Sequence, residues 1–181
     1  MESISVVDDE RTLADEAEAD RLDPSAFGLL YERHRVAVYR YLRARTRNDE
    51  DAMDLTALTF ERAFGSLGRF RRRDGGVRAW LLRIARNSAI DAHRRRRPTV
   101  DLAGVDRHLG RVAIEADRVA GEQEDVLDLV HRLPGDLGDT LMLRYAAGLT
   151  AREIGAVVGK REAAVQKQIE RGLAALREAY T

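Results

Sequence analysis

The sequence predicts an all-α protein of two small helical domains joined by a flexible linker, and three features carry that prediction. Of 181 residues 44% are apolar but only 6% aromatic, so the core must be thin layers of Leu, Val, Ile and Ala. That composition disfavours a large β-sandwich or barrel. Apolar residues recur at steps of three and four, the period of an amphipathic helix. Between residues 98 and 121 the period lapses around Pro98, Gly104, Gly110 and Gly121, and there the chain divides. The expected plan is an acidic, disordered segment 1–22, a first domain 23–97, a linker 98–121 and a second domain 122–181.

Each element follows from local chemistry. Segment 1–22 is poor in large apolar residues and lacks sustained periodicity. Asp23-Pro24 offers an N-cap followed by Pro at N1, and Phe27, Leu30, Tyr31, His34, Val38, Tyr41 and Leu42 then form one stripe. Asn48-Asp49 breaks it. A second helix carries Ala52, Leu55, Thr56, Thr59, Phe60, Ala63, Phe64 and Leu67, and residues 68–76 have loop composition. From Val77 a third helix turns Trp80, Leu81, Ile84, Ala85 and Ser88 inward and ends in the arginine run before Pro98. The linker holds at most a short helix near Val112–Val119. From Glu122, a stripe of Val126, Leu129, Val130 and Leu133 is stopped by Pro134-Gly135, and Asp139 starts a short helix with Leu141, Met142 and Tyr145 that Gly148 ends.

The last segment carries the sharpest local signal. Thr150 and Glu153 make a capping box, Ile154, Val157 and Val158 point inward, and Gly159 turns the chain into a helix with Val165, Ile169, Leu173 and Leu176 buried. Small Gly155 where two helices cross, Gly159 four residues on and Val165 six beyond it match a helix-turn-helix. Its second helix would present Arg161, Glu162, Ala163, Ala164, Gln166, Lys167 and Arg171 to a major groove. Both lysines of the chain, Lys160 and Lys167, fall in this segment. The bland alternative is an αα-hairpin without a DNA role.

Composition excludes several chemistries. The absence of cysteine removes disulfides, thiolate catalysis and cysteine-ligated zinc. His34, His93, His108 and His131 are too scattered for a metal pair, so neither metal nor cofactor is expected. A carboxylate or histidine cluster suited to a nuclease is also missing, and no enzyme is inferred. The acidic N-terminus is unlike a signal peptide, and no apolar run reaches the roughly 18 residues of a membrane helix, which points to a cytoplasmic protein without membrane insertion.

The formal charge of zero hides a strong pattern. Residues 1–26 carry nine acids against two arginines, a net −7, whereas residues 62–97 carry twelve arginines against two aspartates, a net +10. Residues 99–128 return to −5. The basic block suits a polyanion, its arginines able to grip phosphates bidentately. The acidic segment either screens that block or keeps the chain soluble. On the third helix Arg83, Asn87, Ile90, Arg94 and Arg97 share an outward face, where Asn87 can pair with a base edge and the arginines with phosphates. Phe70 or Trp80 offers a ring for an unstacked base, although a lone tryptophan at helical spacing is more commonly core.

In this order the parts resemble the extracytoplasmic-function (ECF) sigma factors of bacterial RNA polymerase, over residues 24–180. The resemblance is carried by FGLLYERHRVAVYRYL, DEDAMDLTALTFERAF, VRAWLLRIARNSAIDAHRRRR and LMLRYAAGLTAREIGAVVGKREAAVQKQIERGLAALR. The third segment, with Trp80, Asn87 and Asp91 in their family places, is the most specific. The resemblance implies two domains, σ2 and σ4, a flexible linker, core polymerase and promoter DNA as partners, and an anti-sigma factor as a further one. It also implies polymerase binding by Asp51, Asp54, Leu55, Phe60 and Glu61, with Asp54 at the family's contacting aspartate. Recognition and opening of the −10 element would fall to Arg71, Arg72, Arg73, Trp80, Arg83, Asn87, Asp91 and Arg94. Reading of the −35 element would fall to Arg161, Glu162, Ala164, Gln166, Lys167 and Arg171. A stand-alone helix-turn-helix regulator is the alternative, but it leaves the basic block without a role.

Two departures from the family stand out. Met53 and Leu58 occupy positions where acids are common on the clamp-binding helix. They are packed, or a weak clamp contact is offset by the arginine block, or phosphorylation of Thr56 or Thr59 restores the charge. Arg161 replaces the usual Ser or Thr cap, which implies a weaker start to the last helix.

Overall fold

The computed structural model describes residues 27–70, 75–96 and 122–180, and these are helical with short connections. The readings of a disordered 1–22, a cap at Asp23 and a helix near Val112–Val119 lie outside the described residues, as do Arg71, Arg72, Arg73 and Arg97. The first unit holds α1 (Phe27–Thr46), α2 (Asp49–Gly65), a 3-10 turn (Leu67–Arg69) and α3 (Gly76–Arg96). The second holds α4 (Glu122–Arg132), α5 (Leu137–Leu141) running into a π-helical turn (Met142–Ala146), α6 (Ala151–Val158) and α7 (Glu162–Tyr180).

Helix ends follow the chemistry expected of them. Asn48 caps α2, its side chain accepting from the Asp51 backbone N–H at 2.9 Å. The acids of the first turn, Asp49, Glu50 and Asp51, lie where the helix dipole favours them. Thr150 and Glu153 close a reciprocal capping box on α6, and Gly159 ends it in the left-handed region at φ 72°. A Cβ on Gly155 would stand 2.5 Å from the Lys160 carbonyl oxygen, so the tight crossing of the helix-turn-helix requires glycine. Arg161 has no side-chain oxygen to cap the last helix; its carbonyl accepts from the Ala164 and Val165 backbone N–H groups at 2.9 and 3.1 Å.

The predicted stripes form most of the core. Val38, Tyr41 and Leu42 of α1, Ala52 and Thr59 of α2, and Leu81, Ala85 and Ser88 of α3 are fully buried, as are Ile154 and Val165 in the second unit. Phe64, Val126 and Tyr145, expected inward, are exposed at 51%, 44% and 63%. Asp139, expected to start a helix, instead lies inside α5 and is buried.

The larger difference is between the units. Although the sequence divides the chain into two domains, α3 packs on α6 and α1 on the π-helical turn, and the buried residues form one continuous cluster. Helix α3 touches α1, α2 and α6, so Leu82 and Ala79, off the predicted stripe, are buried as well. Gly75 meets α6 so closely that a Cβ there would lie 2.5 Å from the Cβ of Ala156.

Candidate functional site

Three surfaces carry the residues singled out by sequence. The first is the start of α7, which the turn at Gly159 holds beside α6. Arg161, Glu162, Ala163, Ala164, Gln166, Lys167 and Arg171 are all exposed, while Val165 is fully buried beneath them. The structure thus brings this predicted set onto a single solvent-facing surface with its apolar anchor under it. Two cations and an amide on a helix of this kind can meet phosphates and base edges. Lys160, one residue before, is tied to Asp136 at 2.7 Å.

The second surface is α3. Asn87 and Arg94 are exposed and Arg83 is half-buried, consistent with one outward face. Asp91 is held by Arg62 of α2 at 3.3 Å, and the same guanidinium donates to Ser88 Oγ at 3.0 Å. Trp80 is 5% exposed and packs against Phe70, with ring centroids 5.0 Å apart. In this arrangement its ring serves the core and presents no face to a base.

The third surface is α2, where Asp54, Ala57 and Glu61 are exposed and Asp51 is half-buried. Leu55 and Phe60, grouped with them from sequence, are buried at 8% and 4% and support the helix from beneath. Phe60 meets Phe27 and Tyr31 edge-on, at centroid distances of 6.3 and 4.8 Å. Of the two departures on this helix, Leu58 packs against the core but Met53 is 60% exposed. The hydroxyls of Thr56 and Thr59 donate to the Ala52 and Leu55 carbonyls at 2.6 Å and are buried, which leaves neither open to a kinase in this fold.

Sequence reasoning missed a polar cluster between the two units. Asp139 Oδ1 accepts from the Tyr41 hydroxyl and from Arg45 Nη1, both at 2.7 Å, and Oδ2 accepts from Arg86 Nε. All three donors belong to the first unit. Burial would raise the Asp139 pKa, but Arg45 and Arg86 outweigh it and hold the carboxyl below the usual carboxylate range. Burial and the neighbouring carboxylate push the Tyr41 phenol up, so it stays a donor. Nearby, Arg47 pairs with Asp128, Arg78 donates to the Ala147 carbonyl, and His131 Nε2 donates to the Ala44 carbonyl at 2.8 Å. One signal was available: Tyr41 and Arg45 are one turn apart on the same helix.

Among the described residues, no group of three or more acidic or histidine side chains could hold a metal, and no helix is long and apolar enough to cross a membrane.

Comparison with known proteins identifies the family. A family model for Sigma-70 region 2 matches residues 30–99, and one for Sigma-70, region 4 matches residues 123–176. The chain is 33% identical over 181 residues to the ECF RNA polymerase sigma factor SigD of Mycobacterium tuberculosis, covering 93% of this chain and 84% of SigD. It is 32% identical over 164 residues to the ECF RNA polymerase sigma factor BldN of Streptomyces coelicolor, covering 85% of this chain but 59% of BldN. Among solved structures, CnrH in complex with the cytosolic domain of CnrY superposes with a TM-score of 0.67 at 25% identity, covering 93% of this chain and 96% of CnrH.

Proposed function

The chain belongs to the ECF sigma factors of RNA polymerase, and from that premise we propose that it directs core polymerase to specific promoters and assists their opening, with no chemistry of its own. The observation that carries this reading is the helix-turn-helix whose second helix exposes Gln166, Lys167 and Arg171 over a buried Val165, with Arg161 exposed just before it. That helix reads the −35 element. The face of α3 bearing Arg83, Asn87 and Arg94, with the arginine-rich segment that precedes it in sequence, engages the −10 element. Flipping a base there costs a few kcal/mol, which a fitted pocket and phosphate contacts offset. The exposed acids Asp54 and Glu61 of α2, with Asp51 beside them, meet a basic surface of the polymerase clamp.

The partners of this reading are core RNA polymerase and promoter DNA, in the cytoplasm. An anti-sigma factor is a third, supported by the likeness to CnrH, which was solved bound to the cytosolic domain of CnrY.

Co-purification with core polymerase, followed by transcription from genomic fragments, tests the proposal. Stable association and promoter-dependent transcripts are expected. DNA binding without polymerase association would instead identify a stand-alone regulator.

A further inference from the structure

Helix α3 carries the outward face assigned to the −10 element, yet little apolar packing supports the half of it that bears Arg94 and Arg95. Among the described residues its buried apolar side chains end at Ala89, Ala92 is only partly buried, and Arg94 and Arg95 are exposed. One side chain of α2 bridges that boundary. Arg62 Nη1 donates to Ser88 Oγ at 3.0 Å, at the end of the core, and to Asp91 Oδ2 at 3.3 Å, about one turn beyond it. Ser88 is fully buried, whereas Arg62 and Asp91 keep 39% and 49% side-chain exposure. The Asp91 carbonyl in turn accepts from Arg95 Nε at 3.3 Å, which carries the tie into the arginine run.

Exposed ion pairs contribute little to stability, because solvent screens them and ordering the side chains costs entropy. The pair of Arg62 with Asp91 therefore matters more for geometry than for folding. Ser88 and Asp91 are three residues apart and share one face of α3, whereas Asn87, next to Ser88, and Arg94, three beyond Asp91, share the neighbouring face. Gripping the first face from the side fixes the rotation of the second. The Asp91 carboxylate also sits on a helix that offers Arg83, Arg94 and Arg95, where an unpaired negative charge would repel a phosphate. Pairing with Arg62 offsets that charge.

We propose that Arg62 is a positioning residue for the −10 element: through Ser88 and Asp91 it holds the arginine-bearing half of α3 in register with α2, and Asp91 serves that grip rather than the DNA. This role rests on the function proposed above. Helix α2 also exposes Asp54 and Glu61, so the grip ties the −10 face to the surface assigned to polymerase.

The test uses holoenzyme assembled from core polymerase and the full chain, on a promoter duplex recovered from the transcribed genomic fragments and carrying 2-aminopurine in its −10 element. Arg62→Ala should open that duplex about tenfold more slowly, the size expected when a contacting pair is uncoupled. Its core-polymerase affinity should stay unchanged, and its thermal midpoint should fall by no more than about 4 °C. Asp91→Arg alone should be as slow despite its added cation. Arg62→Asp with Asp91→Arg, which rebuilds the pair in reverse at the same net charge, should recover most of the rate even where Arg62→Ala loses structure. A merely structural contact would lower midpoint, polymerase affinity and opening together, and an Asp91 that touched DNA itself could not be replaced by Arg. Opening by Arg62→Ala at the unmodified rate, a loss of polymerase affinity equal to the loss of opening, or no recovery in the reversed pair overturns the positioning role alone. No opening by holoenzyme of the unmodified chain overturns the functional reading, and this role with it.

Discussion

His34 shows how a single side chain ties pH to stability. It lies half-buried on the stripe of α1, and its pKa falls from 6.5 to about 4, first through burial and then through Arg78 and Arg33. Below pH 6.5 the unfolded chain takes up a proton that the folded chain refuses. Stability is therefore complete above that pH and declines as pH falls toward 4, by about 2 kcal/mol between pH 7.5 and 5. His131, also lowered by burial, contributes with the same sign. Urea denaturation of His34→Gln at both pH values should show a smaller acid loss than the unmodified chain. An equal loss in the two proteins would place the acid sensitivity elsewhere.

At the scale of elements, α7 and α2 present different kinds of surface and call for different measurements. Gln166 and Arg171 are exposed on α7 over the buried Val165, so replacing either with Ala should leave the thermal midpoint unchanged. Promoter binding that depends on the −35 element should weaken by about 1–3 kcal/mol for whichever of them reads a base. Unchanged promoter preference in both variants would remove the recognition role from this helix. On α2 the exposed carboxylate of Asp54 is free of the core, whereas Leu55 and Phe60 build it. Asp54→Ala should therefore weaken core-polymerase binding by about 1 kcal/mol or more without loss of stability. Phe60→Ala should instead destabilise the fold by about 3–5 kcal/mol, because it leaves a cavity among Phe27, Tyr31 and the α2 stripe.

At the scale of the whole molecule, the contact between the units makes two small cores behave as one. Trp80, the single tryptophan, reports on the first unit, and a label on α7 reports on the second. Because the buried cluster is continuous, denaturant midpoints from the two probes should coincide in the unmodified protein. In Asp139→Ala, which leaves Arg45, Arg86 and Tyr41 without their shared acceptor, they should separate. Coincident midpoints in that variant would mean that apolar packing alone couples the units.

The sequence determined whatever depends on neighbours within a few turns. Period-three and period-four apolar spacing placed the helices, Asn48-Asp49 marked the break between two of them, the Thr150–Glu153 pair marked a helix start, and Gly155 with Gly159 fixed the helix-turn-helix, because caps, turns and amphipathic faces are local physics. The exposed set on α7 was legible for the same reason. Tertiary structure decided what local pattern cannot hold: that Met53 faces solvent while Leu58 packs on the core, and that Phe64, Val126 and Tyr145 of the stripes are exposed. It also decided the fate of Asp139, which pattern alone made a helix start. Its partners Tyr41 and Arg45 are 98 and 94 residues away in the chain, and Arg86 is 53 away. No periodicity spans such separations, because ion pairs that distant are set by how two finished units meet.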